Sequence, residues 1–217
     1  MDLHQEGIEL MKEGKWEEAA NCFNKAIELE PSNPLGYANF GNLLVAVNDL
    51  ERAKAFYQKT IELDPTFAAA YYSLGNVAYE ESLYDEAAAH YQKAIQNGLE
   101  TNEVFAMLGI SFMNMEQTKL AIPYLQRAVE LEPSDVDATF QLGIGYAKNE
   151  FFDLAIEQLE KVIELSPNHV DGHYNLGAAY AMGTENKEKA IEHLKKTIEL
   201  EPRHDFAQSL LMMIESN

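Results

Sequence analysis

The 217-residue sequence contains a single cysteine, Cys22, and few basic side chains. One cysteine excludes an intramolecular disulfide, so a reducing compartment is the default expectation. The chain carries 16 lysines and arginines against 36 aspartates and glutamates, which gives a formal net charge of -20 at pH 7. Nucleic acids and anionic membranes attract lysine and arginine, so neither is an expected partner.

Several functional signatures are also missing. The sequence has no apolar run of about 18 residues and no basic start followed by an apolar core, so we expect a soluble, cytoplasmic protein. It has no glycine-rich phosphate loop, cysteine cluster or nucleophile motif beside a base. His169 and His173 are four residues apart, but no third ligand is evident and the spacing is a weak metal signal. We therefore predict no enzyme, no cofactor and no metal site.

Glycine and alanine recur along the chain with a period of 34 residues. The glycines are Gly7, Gly41, Gly75, Gly109, Gly143 and Gly177. The alanines are Ala19, Ala53, Ala87, Ala121, Ala155 and Ala190, the last displaced by one residue. A period that holds over six copies predicts a repeat array, in which each copy packs mainly on its neighbours.

Each copy is predicted to be a helix, a tight turn and a second helix, because apolar positions follow helical spacing on both sides of a polar break such as Asn48-Asp49. The predicted repeats span residues 1–33, 34–67, 68–101, 102–135, 136–169 and 170–204. The sixth has one extra residue near Met182, which a longer turn can absorb. The tail 205–217 is predicted to be a helix that caps the open end of one continuous solenoid.

The periodic glycines need a physical explanation, because a glycine inside a helix costs roughly 0.5 to 1 kcal/mol relative to alanine. The expected compensation is a close approach between the two helices of each repeat. The recurring alanine is expected to form the other side of that contact.

The first-helix residues Tyr71, Leu74-Gly75 and Tyr79, with the later alanine and proline, resemble the tetratricopeptide repeat (TPR). The resemblance covers residues 1–204. Within the family, the run LAIPYLQRAVEL from Leu120 to Leu131 is similar to the small all-TPR cytosolic proteins of Gram-positive bacteria. The resemblance implies an all-α fold, a right-handed superhelix of six helix-turn-helix repeats with a C-terminal capping helix.

The resemblance also implies a binding site, because the first helices of TPR proteins line a concave groove. The implied groove residues here are Asn39, Asn42, Tyr72, Asn76, Tyr79, Glu80, Glu103, Met107, Ile110, Met113, Asp137, Phe140, Gln141, Asp171, Tyr174 and Asn175. Asparagine offers a donor and an acceptor to an extended backbone, while aromatic and methionine side chains accept apolar groups. We expect the groove of repeats two to four to be the main site, although asparagine at these positions also suits solubility and helix geometry.

Charge narrows the expected ligand. TPR proteins that bind an acidic chaperone C-terminus do so with lysines and arginines in the groove, one of them at the fifth repeat position. At that position, repeats one to four of this chain have His4, Ala38, Tyr72 and Ala106. The groove positions instead carry Glu80, Glu103, Asp137 and Asp171 against Lys12 and Lys148. A neutral or basic segment is therefore the expected ligand.

Three functions remain open from the sequence. The first is a protein-protein interaction adaptor, a monomer with at most weak self-association, that binds a peptide segment without catalysis. The second is a structural scaffold that assembles through its ends or convex face. The third is an accessory subunit of an enzyme, which differs from the first only in the partner.

Overall fold

The computed structural model describes residues 2–216, so Met1 of the first predicted repeat and Asn217 of the predicted capping helix lie outside the described residues. The described residues form thirteen α-helices and contain no strand. Within this range, no helix combines the length and apolar character that a membrane span requires. The chain divides into two compact units, Met1–Glu100 and Thr101–Asn217.

The first unit consists of three helix pairs. Its helices are α1 (Leu3–Lys12), α2 (Trp16–Leu29), α3 (Pro34–Ala46), α4 (Leu50–Leu63), α5 (Ala68–Glu80) and α6 (Tyr84–Gln96). Each odd-numbered helix packs against the following even-numbered one, and α3 also contacts both α1 and α5. The first helices of the three repeats therefore lie side by side, with the second helices packed against them.

The second unit consists of three further pairs and one additional helix. Its helices are α7 (Asn102–Asn114), α8 (Thr118–Leu131), α9 (Val136–Lys148), α10 (Phe152–Leu165), α11 (Val170–Gly183), α12 (Lys187–Leu200) and α13 (Asp205–Glu215). The first helices α7, α9 and α11 are again neighbours, and α13 packs on α12 and α11. The predicted helix-turn-helix organisation is confirmed for all six repeats.

The turn within each of the first five repeats depends on one residue in the left-handed region. These residues are Gly14, Asn48, Ser82, Glu116 and Glu150, with φ of 74°, 61°, 61°, 60° and 62°. The sixth repeat differs, because α11 is one residue longer than α9 and ends at Gly183, and the turn continues through Thr184 to Asn186. The extra residue predicted near Met182 is thus absorbed at this turn.

The periodic glycines do allow close helix contact, but the prediction that alanine forms the other side was incomplete. A Cβ at Gly75 would lie 2.5 Å from Cε1 of Tyr91, and one at Gly109 would lie 2.6 Å from Cγ of Leu125. The opposing group is the large side chain four residues after the alanine. The alanine contributes its carbonyl, since the same Gly109 Cβ would lie 3.3 Å from the oxygen of Ala121.

The last helix, α13, covers part of the sixth repeat. Ala207 is fully buried, and Ile214 packs on the apolar cluster that contains Leu176 and Tyr180. Nζ of Lys195 lies 3.2 Å from the Glu215 carboxylate. These contacts agree with a covering role for α13, and its effect on solubility stays a prediction.

Candidate functional site

The candidate site lies in the first unit, where two adjoining cavities lie between α3 and α5. The first, here called the polar cavity, has a volume of about 230 Å³. It is lined by Asn42, Val45, Tyr57, Ser73, Asn76, Val77 and Glu80. The second, here called the apolar cavity, has a volume of about 160 Å³. It is lined by Leu35, Ala38, Asn39, Asn42, Tyr57, Phe67, Ala69, Ala70 and Ser73. The two share Asn42, Tyr57 and Ser73 and thus form one continuous surface feature.

Two asparagine-tyrosine pairs support this surface. The hydroxyl of Tyr57 donates to Oδ1 of Asn42, and the hydroxyl of Tyr91 donates to Oδ1 of Asn76, each over 2.8 Å. Both tyrosine rings are buried, so they fix the position of the amides that they hold. Each Oδ1 thus already accepts one hydrogen bond, whereas the N–H donors of Nδ2 have no partner among residues 2–216.

The asparagine-tyrosine pair is specific to repeats two and three. The same two positions, 15 residues apart, hold apolar pairs in repeats one, four and five, and in repeat six with the one-residue shift: Ile8 and Phe23, Ile110 and Leu125, Ile144 and Leu159, Ala178 and Leu194. A buried tyrosine hydroxyl requires a hydrogen-bond partner, so the two residue types change together. The groove surface therefore differs in chemistry from one repeat to the next.

The side chains that line the two cavities carry one negative charge and no positive charge. Burial raises the pKa of Tyr57 to about 12, and burial also raises the pKa of Tyr91, so both hydroxyls stay protonated at neutral pH. Glu80 is exposed and supplies the charge among the side chains that line the polar cavity. Nearby Lys54 is already 2.7 Å from the carboxylate of Glu81, an ion pair that raises the lysine pKa. A carboxylate is thus available to a cationic ligand.

The other predicted groove residues of the first unit mainly pack against protein. Asn39 is 8% exposed, and its amide nitrogen lies 3.3 Å from Nδ1 of His4. The ring of Tyr72 is 5.8 Å from that of Tyr91, and the ring of Tyr79 meets Tyr84 edge-on at 5.4 Å. Neither Tyr72 nor Tyr79 lines the two cavities.

In the second unit, the predicted groove residues fall into three groups. Exposed carboxylates begin the first helices, at Glu103, Asp137 and Asp171. Partly or fully buried side chains follow, at Met107, Ile110, Met113 and Gln141. The remainder make local contacts: Phe140 with the ring of His169 at 4.9 Å, Tyr174 with the ring of His204 at 4.7 Å, and Asn175 with the backbone oxygen of Asp171 at 2.8 Å. The two largest cavities described in this unit are lined by other residues.

The two histidines with metal-like spacing have other roles. Nδ1 of His169 accepts a hydrogen bond from the backbone of Gly172 at 2.9 Å, and Nδ1 of His173 lies 3.0 Å from Nδ1 of His193. Over residues 2–216, no group of three or more potential ligands is placed to hold a metal. His173 is also buried.

Sequence reasoning did not select Tyr57, Tyr91, Ser73, Leu35 or Phe67 as site residues. Both tyrosines occupy the position four residues after the periodic alanine, and the period says nothing about their hydroxyls. The signal that was present is the 15-residue spacing of asparagine and tyrosine, found in two adjacent repeats.

Comparison with known proteins bears on the identity of this fold. Models of the TPR repeat match residues 7–48 and 151–183, and models of the tetratricopeptide repeat match residues 38–98, 103–135 and 170–204. A solved structure of YrrB, described as a TPR protein with an unusual peptide-binding site, is 46% identical and has a TM-score of 0.84. The match covers 88% of this chain and 98% of that chain. The chain belongs to the tetratricopeptide repeat family.

The chain is also similar to other proteins. The curated TPR repeat-containing protein YrrB of Bacillus subtilis is 51% identical over 41 residues, so the matched part is 19% of this chain and only about a fifth (20%) of that protein. A solved structure of MamA is 26% identical with a TM-score of 0.72, covering 78% of this chain and 92% of that chain. A structure of PilF from Pseudomonas aeruginosa is 19% identical with a TM-score of 0.79, and the match covers 97% of this chain and 96% of that chain. At this identity the similarity shows the fold alone. The similarity to small TPR proteins of the YrrB type, which the run from Leu120 to Leu131 indicates, is thus confirmed.

Proposed function

We propose that this TPR protein is a non-enzymatic adaptor that binds an extended, neutral or basic segment of a partner protein at the polar and apolar cavities between α3 and α5. TPR proteins act by binding protein or peptide partners, and the similar YrrB structure is described as having a peptide-binding site. We also propose a cytoplasmic location, which the single cysteine supports.

The observation that carries the proposal is the pair of fixed amides, Asn42 and Asn76. Each amide oxygen is held by a buried tyrosine hydroxyl, so the N–H donors of Nδ2 are positioned before a ligand arrives. An extended segment presents backbone carbonyl oxygens at regular intervals, which are suitable acceptors for two donors in adjacent repeats. Positioning donors in advance reduces the entropy that binding must remove.

The two cavities give the proposed ligand its side-chain preference. Leu35 and Phe67 make the apolar cavity suitable for an apolar side chain. Glu80 makes the polar cavity suitable for a lysine, an arginine or a neutral polar group. Because the whole chain carries a net charge of -20, a basic segment should associate faster at low salt and bind more weakly as salt rises.

The proposal is tested with a variant that copies a pair already present in the chain. Asn76→Ile combined with Tyr91→Leu reproduces the Ile110 and Leu125 pair of repeat four, so the seam against the neighbouring glycine stays filled. A peptide array would identify the preferred segment, and fluorescence anisotropy would measure its affinity. We expect the double variant to fold normally and to bind about 2- to 10-fold more weakly, the value of one hydrogen bond.

Two further variants complete the design. Glu80→Lys should weaken the binding of a basic segment and remove much of its salt dependence. Ile144→Val changes the equivalent position in repeat five, which is not among the predicted groove residues, and should leave affinity unchanged. If acidic C-terminal peptides bind best, or if neither Asn76→Ile/Tyr91→Leu nor Glu80→Lys alters affinity, this site assignment is wrong.

Self-association as a scaffold is the competing function. Light scattering over a concentration series separates the two, because an adaptor stays monomeric while it captures peptide, whereas a scaffold forms a stable oligomer without peptide. The predicted groove residues outside the two cavities, including those of the second unit, stay predictions that alanine substitution in the same binding assay can examine.

A further inference from the structure

The last helix, α13, begins with the same contacts as the first helix of the sixth repeat. Nδ1 of His204 accepts a hydrogen bond from the backbone N–H of Ala207, as Nδ1 of His169 accepts one from that of Gly172. These matching caps are 35 residues apart, and α13 contacts α11 as one first helix contacts the next. Each groove position of α11 therefore has its counterpart in α13 35 residues later.

At these counterpart positions, α13 carries apolar side chains where α11 carries polar ones. Phe206 and Leu210 are the counterparts of Asp171 and Asn175, two of the predicted groove residues. The side chain of Phe206 is 74% exposed. A helix that ends a solenoid is expected to present polar residues to water. The groove side of α13 thus differs both from the preceding repeat and from an ordinary cap.

The apolar side chains of α13 form one continuous face. Phe206, Leu210 and Met213 are spaced i, i+4 and i+7, which places them along one side of the helix. Met213 is 62% exposed, and the ring of Tyr174 on α11 lies 4.7 Å from the ring of His204 at the start of α13. Isolated exposed apolar side chains are common, whereas a contiguous apolar face indicates a docking surface. We call Phe206, Leu210 and Met213 the terminal patch.

The charges that precede the terminal patch on the groove side are negative. Glu103, Asp137 and Asp171 hold the repeat position of Phe206 in the three preceding repeats, and all three are exposed. The helices that carry them are neighbours, since α7 contacts α9, α9 contacts α11 and α11 contacts α13. The ion pairs within the described part of the second unit involve other carboxylates. A row of available carboxylates therefore leads to the exposed Phe206.

The spacing of these positions suits an extended chain. The axes of packed helices are about 8 to 10 Å apart, and an extended chain advances about 3.3 Å per residue. A side chain at every third residue of an extended segment would therefore reach each first helix in turn.

We propose that the groove side of the second unit binds an extended segment in which lysines or arginines adjoin a large apolar side chain. The apolar side chain occupies the terminal patch, and the basic residues lie along Glu103, Asp137 and Asp171. Charge complementarity selects this occupant, because a second copy of the chain would itself bring a net charge of -20 to the same surface. This surface contains no residue of the first unit, so it is separate from the polar and apolar cavities.

A designed peptide tests the proposal on the full chain. The probe is a fluorescein-labelled peptide with three lysines at every third residue, a phenylalanine three residues after the last lysine, and serine and glycine elsewhere. Fluorescence anisotropy at low salt measures its affinity. Two control peptides replace the lysines by glutamate or the phenylalanine by serine, and each should bind at least about tenfold more weakly. No binding of the probe, or equal affinity for the peptide without phenylalanine, would overturn the proposal.

Variants of α13 locate the contact. Phe206→Asp copies Asp171 and places a carboxylate in the first turn, where a helix tolerates it well. It should weaken binding at least about tenfold, although the added charge alone would favour a basic peptide. Met213→Ala copies Ala178 and should weaken binding about 2- to 5-fold. Met212→Ala is the matched control, because Met212 is 65% exposed but lies at the position of Gly177, off the groove side, and affinity should stay unchanged.

Two further measurements distinguish this surface from other sites. Asn76→Ile/Tyr91→Leu, which alters the first unit, should bind the probe as the unmodified chain does. Unchanged affinity in Phe206→Asp, or an equal loss in Asn76→Ile/Tyr91→Leu, would overturn the proposal, since the probe would then bind elsewhere. Light scattering of the unmodified chain and of Phe206→Asp examines the other occupant. A dimer that Phe206→Asp dissociates would mean that a second copy covers the terminal patch, which would also overturn the proposal.

Discussion

Replacing one helix glycine by alanine should destabilise the chain, whereas replacing another should stabilise it. In Gly109→Ala, the new Cβ would lie 2.6 Å from Cγ and 2.8 Å from Cδ2 of Leu125, which is itself fully buried. Leu125 must move by nearly 1 Å, an overpacking that costs about 1 to 3 kcal/mol. The gain in helix propensity returns roughly 0.5 to 1 kcal/mol. The expected net loss is therefore about 0.5 to 2 kcal/mol.

Gly145 provides the matched control because it is also a buried glycine inside a first helix of the same unit. A Cβ at Gly145 would meet its nearest atom, Cγ1 of Ile122, at 3.6 Å, which is ordinary contact. Gly145→Ala should thus raise the free energy of unfolding by roughly 0.5 to 1 kcal/mol. Urea unfolding followed by circular dichroism measures both variants. If the two shift in the same direction, close approach is not the reason for the periodic glycines.

Three further effects on stability should be measurable. Ser82 has a left-handed backbone conformation with φ of 61°, which glycine adopts without the steric cost of a Cβ. Ser82→Gly should therefore raise the free energy of unfolding by roughly 0.5 to 1 kcal/mol and the melting temperature by about 1 to 3 °C. Burial raises the pKa of Tyr57 to about 12, whereas a tyrosine in the unfolded chain ionises near pH 10. The free energy of unfolding should therefore fall as pH rises from about 10 towards 12. Circular dichroism measures the loss of structure, and ultraviolet absorbance measures the ionisation. Leu108→Ala in the fully buried core should cost about 2 to 5 kcal/mol in urea melts and Leu3→Ala, at a half-buried position, should cost less.

The fold could be predicted from the sequence because one pattern is repeated six times. Gly109 and Ala121 mean little alone, but their counterparts at each period fix the helix pairs and the turns between them. The nature of the glycine contact could not be predicted in full. Sequence spacing places Gly109, Ala121 and Leu125 on facing helices without showing which side chain crosses the gap, and side chains in helices point back towards the N-terminus.

The candidate site was only partly predictable, for a different reason. Asn42, Asn76 and Glu80 follow from the repeat position, since that position places a residue on the groove side of a first helix. Whether such a residue lines a cavity depends on its neighbours' side chains, which differ between repeats. Thus Tyr79 packs against Tyr84 outside both cavities, although the next residue, Glu80, lines the polar cavity. The histidine contacts could not be predicted from the repeat, because each of them occurs in only one or two repeats.

The periodic glycine and the proposed binding site are physically coupled in repeats two and three. Gly75 leaves room for the ring of Tyr91, whose hydroxyl holds the amide of Asn76. In Gly75→Ala, the new Cβ would lie 2.5 Å from that ring, so the tyrosine must move and release the amide. Gly75→Ala should therefore weaken peptide binding about 2- to 10-fold in addition to lowering stability. Gly109→Ala disturbs a leucine without a hydroxyl and should lower stability alone. Anisotropy titrations of both variants below their unfolding transitions distinguish the cases, and equal affinities would contradict the coupling.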